Sequence, residues 1–356
     1  MRSHQSLLIK DILIETVKLG AADLHFSVGN KPVYKLNGIW MTMEERDIID
    51  QDFMLSMSES ILDEVGKQKL NQEKEINFSH DFDRDLRFKI NIFFQKGVLS
   101  ATFRYISSKI PTLEALGVNP SLKNLCHMKK GLVIVAGPFG SGRSSTSAAM
   151  IEEINRNYKR YIITIEKPIE YIFTNNQSII EQREVGKDTV SFEEALKYYQ
   201  QEEGDVLYLD SVSNNKVWPL VLEIANGSSL VITNLNADTA TKTIASILDG
   251  FKNYETEGIR DLLSESLKAV ICQKILPKNG GGLVLIQEIL LVNDAVKSII
   301  KNGTIAQIEN IIQVSRKEGM ISFNQAISEL AVNRKISVQD AMDNVADKKI
   351  LENILK

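Results

Sequence analysis

Within SLLIKDILIETVKL, Leu8, Ile12 and Leu19, with Ile14 less well aligned, recur at helical spacing and predict a helix over 6–19. Gly20 supplies its stop. In the following ADLHFSVGNKPVYKLNGIW, the positions Val28, Val33, Tyr34, Leu36 and Ile39 are strand-like, with turn signals at Gly29-Asn30 and Asn37-Gly38. Residues 52–71 predict a second helix, and 85–106 a strand pair turning at Lys96-Gly97. Residues 1–105 therefore read as one α/β domain with an antiparallel sheet. IPTLEALGVNP (110–120), with Pro111 and Pro120, reads as a linker carrying one short helix.

The pattern changes at Gly131. GLVIVAG is a short, unbroken apolar run, the sign of a strand covered on both faces. YIITIEKPIEY, DVLYLD (205–210) and SSLVITNLN (228–236) repeat the sign, and helical stretches such as SFEEALKYYQQEE separate them. Buried strands alternating with helices predict a parallel sheet. From 256 onward the pattern is mainly helical, with one strand at 283–290.

Length and charge narrow the reading. A chain of 356 residues is long enough for two domains. A hydrophobic content of 43% excludes intrinsic disorder. The net charge of −4 lacks the basic surplus that phosphate backbones demand, so no nucleic acid partner is expected. The two cysteines, Cys126 and Cys272, are too few and too far apart for a disulfide scaffold or a zinc site, and sit among apolar neighbours as buried thiols. Charges interrupt the apolar start, so no signal peptide is expected, and no run reaches the length of a membrane span. The expected location is cytoplasmic, with any work at a membrane depending on another component.

The strongest local chemistry is VIVAGPFGSGRSSTSAAM (133–150). Gly137 and Gly142 have the G-x-x-x-x-G spacing of a phosphate-binding loop between a strand and a helix, and Gly140 adds a third glycine. Such glycines let backbone N–H groups converge on an anion, and the next helix adds its positive dipole end. Gly137, Gly140, Ser141, Gly142, Arg143, Ser144 and Ser145 are the candidate nucleotide-binding residues, with Ser144 the candidate Mg²⁺ ligand. Arg143 stands where the loop's lysine belongs. A forked, planar guanidinium does not replace a compact ammonium in the same slot.

Several segments together resemble the type IV pilus retraction ATPases of twitching motility, within the secretion ATPases. GAADLHFSVGNKPVYKLNG, RFKINIFFQKGVLSATFRYISSKIPTLEALGV and EQREVGKDTVSFEEALK are similar to the family's segments, as are LLSESLKAVICQKILP and the late KEGMISFNQAI. The resemblance runs nearly end to end. It implies an N-terminal PAS-like α/β domain (1–105), a linker (106–120) and a RecA-like P-loop domain (121–356) with a helical C-terminal part from about 256. It also implies a hexameric ring with ATP and Mg²⁺ between subunits.

Against that pattern the chain departs at four motifs. The P-loop lysine is Arg143. The Asp box T-I-E-D-P-I-E reads Thr164-Ile165-Glu166-Lys167-Pro168-Ile169-Glu170, so its aspartate is Lys167. In EGDVLYLDSVSN the water-orienting glutamate falls at Ser211 and the following arginine at Ser213, with Asp210 one residue earlier. The His box reads Thr233-Asn234-Leu235-Asn236-Ala237, so its histidine is Asn236. Asp23, His25, Asn91, Gln95, Arg104, Arg183, Glu184, Glu265 and Gln273 match the family. Arg104 resembles the arginines that reach a neighbouring subunit's nucleotide. The family's A-I-R-N-L-I-R-E segment reads Ala295–Asn302, with both arginines now lysines.

Phosphoryl transfer is positioning plus charge stabilisation, each part worth orders of magnitude. Four altered parts predict a pseudo-ATPase: a regulatory or structural subunit in a ring with itself or an active paralogue, set on the inner-membrane pilus platform protein. A slow genuine ATPase using Glu166 or Asp210, and a nucleotide-independent adaptor, are the alternatives.

Overall fold

The computed structural model describes residues 2–36, 38–83, 86–107, 109–212, 215–251, 253–345, 348 and 351, without the side chains of 2–7, 253 and 254. Asn37 of the second turn signal and Ser213 lie outside the described residues. The chain divides into two compact units, 1–109 with 168–172, and 110–167 with 173–356.

In the first unit, α1 (Arg2–Lys18) buries Ile9, Ile12, Leu13 and Thr16, one turn-spaced stripe, while Leu19 is exposed. Gly20, at φ +74, follows the helix. Strands β1 (Asp23–Ser27), β2 (Val33–Leu36), β3 (Ile39–Thr42), β4 (Glu75–Asp83), β5 (Leu86–Gln95) and β6 (Val98–Ile106) form one antiparallel sheet in the order β3-β2-β1-β6-β5-β4. The β5–β6 turn has positive φ at Lys96 and Gly97, which suits a tight hairpin. The helix expected over 52–71 is two helices, α2 (Gln51–Ile61) and α3 (Glu64–Glu73). Leu62 goes extended, and Asp63 caps α3 by accepting from the Gly66 N–H at 2.7 Å. An aspartate at that position satisfies an otherwise orphaned donor, so a break there is favoured. β4 was not legible in the pattern, and Val28 lies just past the end of β1. The segment Pro168–Ile172 also counts with this unit: Arg87 Nη2 donates to the Ile169 carbonyl at 3.0 Å, and Lys89 pairs with Glu170 at 2.7 Å.

The second unit begins with α4 (Leu113–Leu116) and α5 (Ser121–Cys126). It continues through β7 (Gly131–Ala136), α6 (Arg143–Asn157), β8 (Tyr161–Glu166), β9 (Ile179–Glu184), α7 (Phe192–Glu202), β10 (Val206–Leu209), α8 (Trp218–Asn226), β11 (Leu230–Leu235), α9 (Ala240–Leu248) and α10 (Asn253–Ser266). Then come β12 (Leu267–Pro277), β13 (Leu283–Leu291), α11 (Asp294–Asn302), α12 (Ile308–Val314), α13 (Phe323–Val332) and α14 (Val338–Asn344). The sheet order is β13-β12-β7-β11-β10-β8-β9, parallel except for the antiparallel β12–β13 pair. β7 and β10 are wholly buried, as unbroken apolar runs between two helical layers require.

The mainly helical reading from 256 is corrected by β12, an eleven-residue strand that follows α10 directly. It runs between β7 and β13 inside the sheet and is buried at consecutive positions on both faces, so no alternation marks it in the sequence. β9, at the sheet edge, also went unread. Among the described residues no helix is long and apolar enough to cross a membrane.

Candidate functional site: a phosphate loop at the sheet's C-terminal edge

Gly137 and the altered positions Lys167, Ser211 and Asn236 of the second unit fall just beyond the C-terminal ends of neighbouring parallel strands. β7 ends at Ala136, which pairs with Leu235, the last residue of β11. Leu209 of β10 pairs with Thr233 on one side and Ile165 on the other. Gly137, Asn236, Asp210, Ser211 and Lys167 therefore leave one sheet edge across four adjacent strands. That edge is where open α/β sheets bind ligands.

The loop from 137 to 142 has the backbone its glycines permit. Gly137, Gly140 and Gly142 lie at φ +153, +80 and +83. A Cβ on Gly137 would lie 2.4 Å from Ser141 Oγ and 2.5 Å from the Gln273 carbonyl oxygen, so this position excludes every side chain. Gly142 precedes α6 without any side-chain cap, leaving the first-turn N–H groups of α6 to be met from outside the helix. Beside them Ser141 Oγ is buried and has no hydrogen-bond partner among the described residues. Phe139 points outward, 77% exposed, and does not fill the loop.

Arg143 turns back on the loop. Its Nη1 donates to the Gly137 carbonyl at 2.6 Å and the Leu235 carbonyl at 2.8 Å, tying the ends of β7 and β11 together. Ser144 and Ser145 are half-buried in the first turn of α6. Fully buried Gln273 on β12 holds the loop from behind: its Nε2 donates to the Ser141 carbonyl at 2.8 Å, and its Oε1 accepts from Thr146 Oγ1 at 3.1 Å. Asn234 does the same for α6. Its Oδ1 accepts from Ser147 Oγ at 2.7 Å and its Nδ2 donates to Tyr208 Oη at 2.9 Å. Reading the sequence did not single out Asn234 as a support. The available signal was a polar residue inside the apolar run LVITNL.

The remaining edge positions differ sharply in character. Lys167, Ser211 and Asn236 are exposed, and Asp210 is half-buried. Glu166 is buried, and its Oε1 accepts from Thr164 Oγ1 at 2.7 Å and from Gln182 Nε2 at 3.1 Å. A carboxylate so engaged is a structural acceptor in this arrangement.

Other matched residues sit elsewhere. Arg104 belongs to the first unit, where it makes a two-nitrogen pair with Asp23, 2.7 Å from Nε and 3.3 Å from Nη2. Burial of His25 lowers its pKa. Glu265 pairs with Lys301 at 2.8 Å and Lys297 at 3.9 Å, and Lys301 above all holds its carboxyl below the usual range. Both cysteines are buried free thiols, and burial pushes Cys126 up to about 12.

The uncapped helix, the orphaned Ser141 hydroxyl and the side-chain-excluding Gly137 fit a phosphate chain. The Ser144 hydroxyl and the Asp210 carboxylate are hard oxygen donors of the kind Mg²⁺ takes beside phosphate. Among the described residues no group of three or more His, Cys, Asp or Glu is arranged to hold a metal. Any Mg²⁺ here would therefore depend mostly on phosphate oxygens and water.

Residues 3–280 match the family described as Type II/IV secretion system protein. The type IV pilus retraction ATPase PilT of Pseudomonas aeruginosa is 32% identical over 349 residues, covering 97% of this chain and 99% of its own. The type IV pilus ATPase PilU of the same organism is 31% identical over 327 residues, covering 92% and 85%. Among solved structures, the pilus retraction motor PilT with bound ADP matches with a TM-score of 0.86 at 35% identity, covering 96% of this chain and 98% of that one. The shared fold is an N-terminal α/β domain followed by a RecA-like ATPase domain.

Proposed function

The chain belongs to the type II/IV secretion system proteins, in the branch of the type IV pilus retraction ATPases, and from that premise we propose that it is a nucleotide-binding pseudo-ATPase of a pilus motor. One observation carries the reading. The three strand-end positions beside an intact glycine loop are Lys167, Ser211 and Asn236, exposed side chains that are neither carboxylate nor imidazole.

The backbone of 137–142 and the first turn of α6 would receive the phosphates, a reading supported by the bound ADP of the similar pilus retraction motor PilT. Ser144 and Asp210 would hold Mg²⁺, whose chemistry is to neutralise phosphate charge. The chain's own residues then fail at the attacking water. Ser211 is no base near neutral pH without an activator, Lys167 is a cation, and Asn236 is a neutral amide. Glu166 is engaged by Thr164 and Gln182. Such a subunit contributes structure or regulation to a hexameric ring, with itself or an active paralogue, on the cytoplasmic side of the inner membrane against the pilus platform protein. The first unit, as the family's PAS-like domain, would carry Arg104 towards a neighbour's nucleotide.

Purified protein tests this by ATP affinity and phosphate release measured together. Binding with turnover far below the roughly 1 s⁻¹ low end of enzymes is the expected result. The half-buried Asp210 at the end of β10 favours one second reading, a slow ATPase. Turnover at or above that level, abolished by Asp210→Asn, would establish it. Absence of binding would leave a nucleotide-independent adaptor.

A further inference from the structure

A second feature of the RecA-like unit lies at the opposite edge of its sheet, where β7 begins. The six-residue length of β7 puts that edge about 17 Å from the phosphate loop, at the usual rise per strand residue. There β12 meets β7 with an irregularity. Leu267 pairs with Leu132 and Ala269 with Val133, so Lys268 is an extra residue in the ladder. Such bulges re-aim a side chain. The bulge lays the Lys268 stem across Gly131, whose φ is +122. A Cβ there would come within 2.4 Å of Lys268 Cγ and 2.7 Å of Cε. The pairing of a bulge with a side-chain-free neighbour fixes where this amine sits.

Lys268 lines a cavity of about 410 Å³. Leu125, Met128 and Leu291 supply an apolar floor, and Lys317 and Ser121 supply polar atoms. Ser121 Oγ is buried and has no hydrogen-bond partner among the described residues. Glu318, the one acid of the lining, is engaged by Asn293 Nδ2 at 2.8 Å. Lys268 Nζ donates to the Glu265 backbone carbonyl at 3.0 Å, while the Glu265 carboxylate is shared between Lys297 and Lys301. Burial, then the like charges of Lys297 and Lys130, lower the Lys268 pKa. Lys268 and Lys317 thus set two cations against the single acid Glu318 in the lining of this cavity.

We propose that this cavity is a second anion site, built for a phosphate monoester carried on a short apolar body. Lys268 and Lys317 take the phosphate, Ser121 donates its hydroxyl, and the floor takes the apolar part. A soluble phosphorylated metabolite and the headgroup of an anionic lipid share this chemistry.

The test uses the full chain and two probes, glycerol phosphate and dihexanoyl phosphatidic acid below its micelle concentration, titrated calorimetrically. Wild type should bind at least one of them, and Lys268→Met should weaken that binding roughly tenfold or more, as loss of a charge-assisted hydrogen bond does. Lys317→Met, at a more peripheral position, should weaken it less and serves if Lys268→Met folds poorly. Comparable affinity for both probes assigns the site to a soluble phosphate. Binding of the lipid analogue alone assigns it to a headgroup. No binding of either probe overturns the proposal. So does equal binding by wild type and both lysine variants, which would place the ligand in the glycine loop.

Discussion

Two glycines of the 137–142 loop make opposite demands, and alanine at each separates them. Gly137 and Gly140 both hold positive φ, +153 and +80. At Gly140 a Cβ meets nothing within 4 Å, so Gly140→Ala costs only the left-handed backbone, about 1–2 kcal/mol. At Gly137 the Cβ would overlap Ser141 Oγ at 2.4 Å and the Gln273 carbonyl oxygen at 2.5 Å. The hydroxyl can rotate away. The carbonyl belongs to β12, which is locked between β7 and β13, and cannot. Backbone strain of about 1–3 kcal/mol and overpacking of a similar about 1–3 kcal/mol add to roughly 2–6 kcal/mol. At about 2–4 °C per kcal/mol for a domain of this size, Gly137→Ala should lower the melting temperature by roughly 4–24 °C, and Gly140→Ala by a few degrees. Scanning calorimetry and nucleotide titration of the two variants side by side provide the assay. Affinity should fall far more for Gly137→Ala, because relief of the overlap must move Ser141 and the loop with it. Equal melting temperatures for the two variants, or a Gly137→Ala protein that melts and binds like wild type, would refute the loop geometry.

The catalytic parts act as a unit, so Arg143→Lys or Ser211→Glu alone should not raise phosphate release. The fourfold change Arg143→Lys, Lys167→Asp, Ser211→Glu and Asn236→His should raise it by orders of magnitude, and a large gain from either single change would contradict the reading. The thiols make a prediction about alkali. Burial raises Cys126 from the ordinary 9.0 to about 12, so the unfolded chain loses this proton at lower pH than the folded one. Its contribution is fully present below pH 9.0 and is lost as pH climbs towards about 12. Denaturant midpoints should be flat on this account up to that range and then fall. Neither Cys126 nor Cys272 should react with an aromatic disulfide reagent before unfolding; rapid labelling of the native protein would show the burial to be wrong.

The glycine loop was legible because its parts are contiguous. Strand, turn and helix from 131 to 157 are specified by near neighbours, and backbone conformation there depends on glycines at fixed spacing. The alternation of buried strands and helices likewise carried the fold class, since covering both faces of a parallel sheet writes unbroken apolar runs into the chain. β12 escaped for the same reason: an apolar run covered on both sides has no period to separate strand from helix, and only pairing with β7 and β13 decides. The break at Asp63 escaped because the helical pattern continues across a capping residue whose partner, the Gly66 N–H, is seen only in the fold. The supports of the site were decided in three dimensions. Gln273 reaches Ser141 across 132 residues, and Asn234 reaches Ser147 across 87. Family pattern named Lys167, Ser211 and Asn236 one by one, but their sharing an edge with Gly137 depends on the strand order β7-β11-β10-β8. Local sequence fixes backbone conformation through sterics at each residue. The company a side chain keeps is set by which strands pair, and that is a property of the whole buried core.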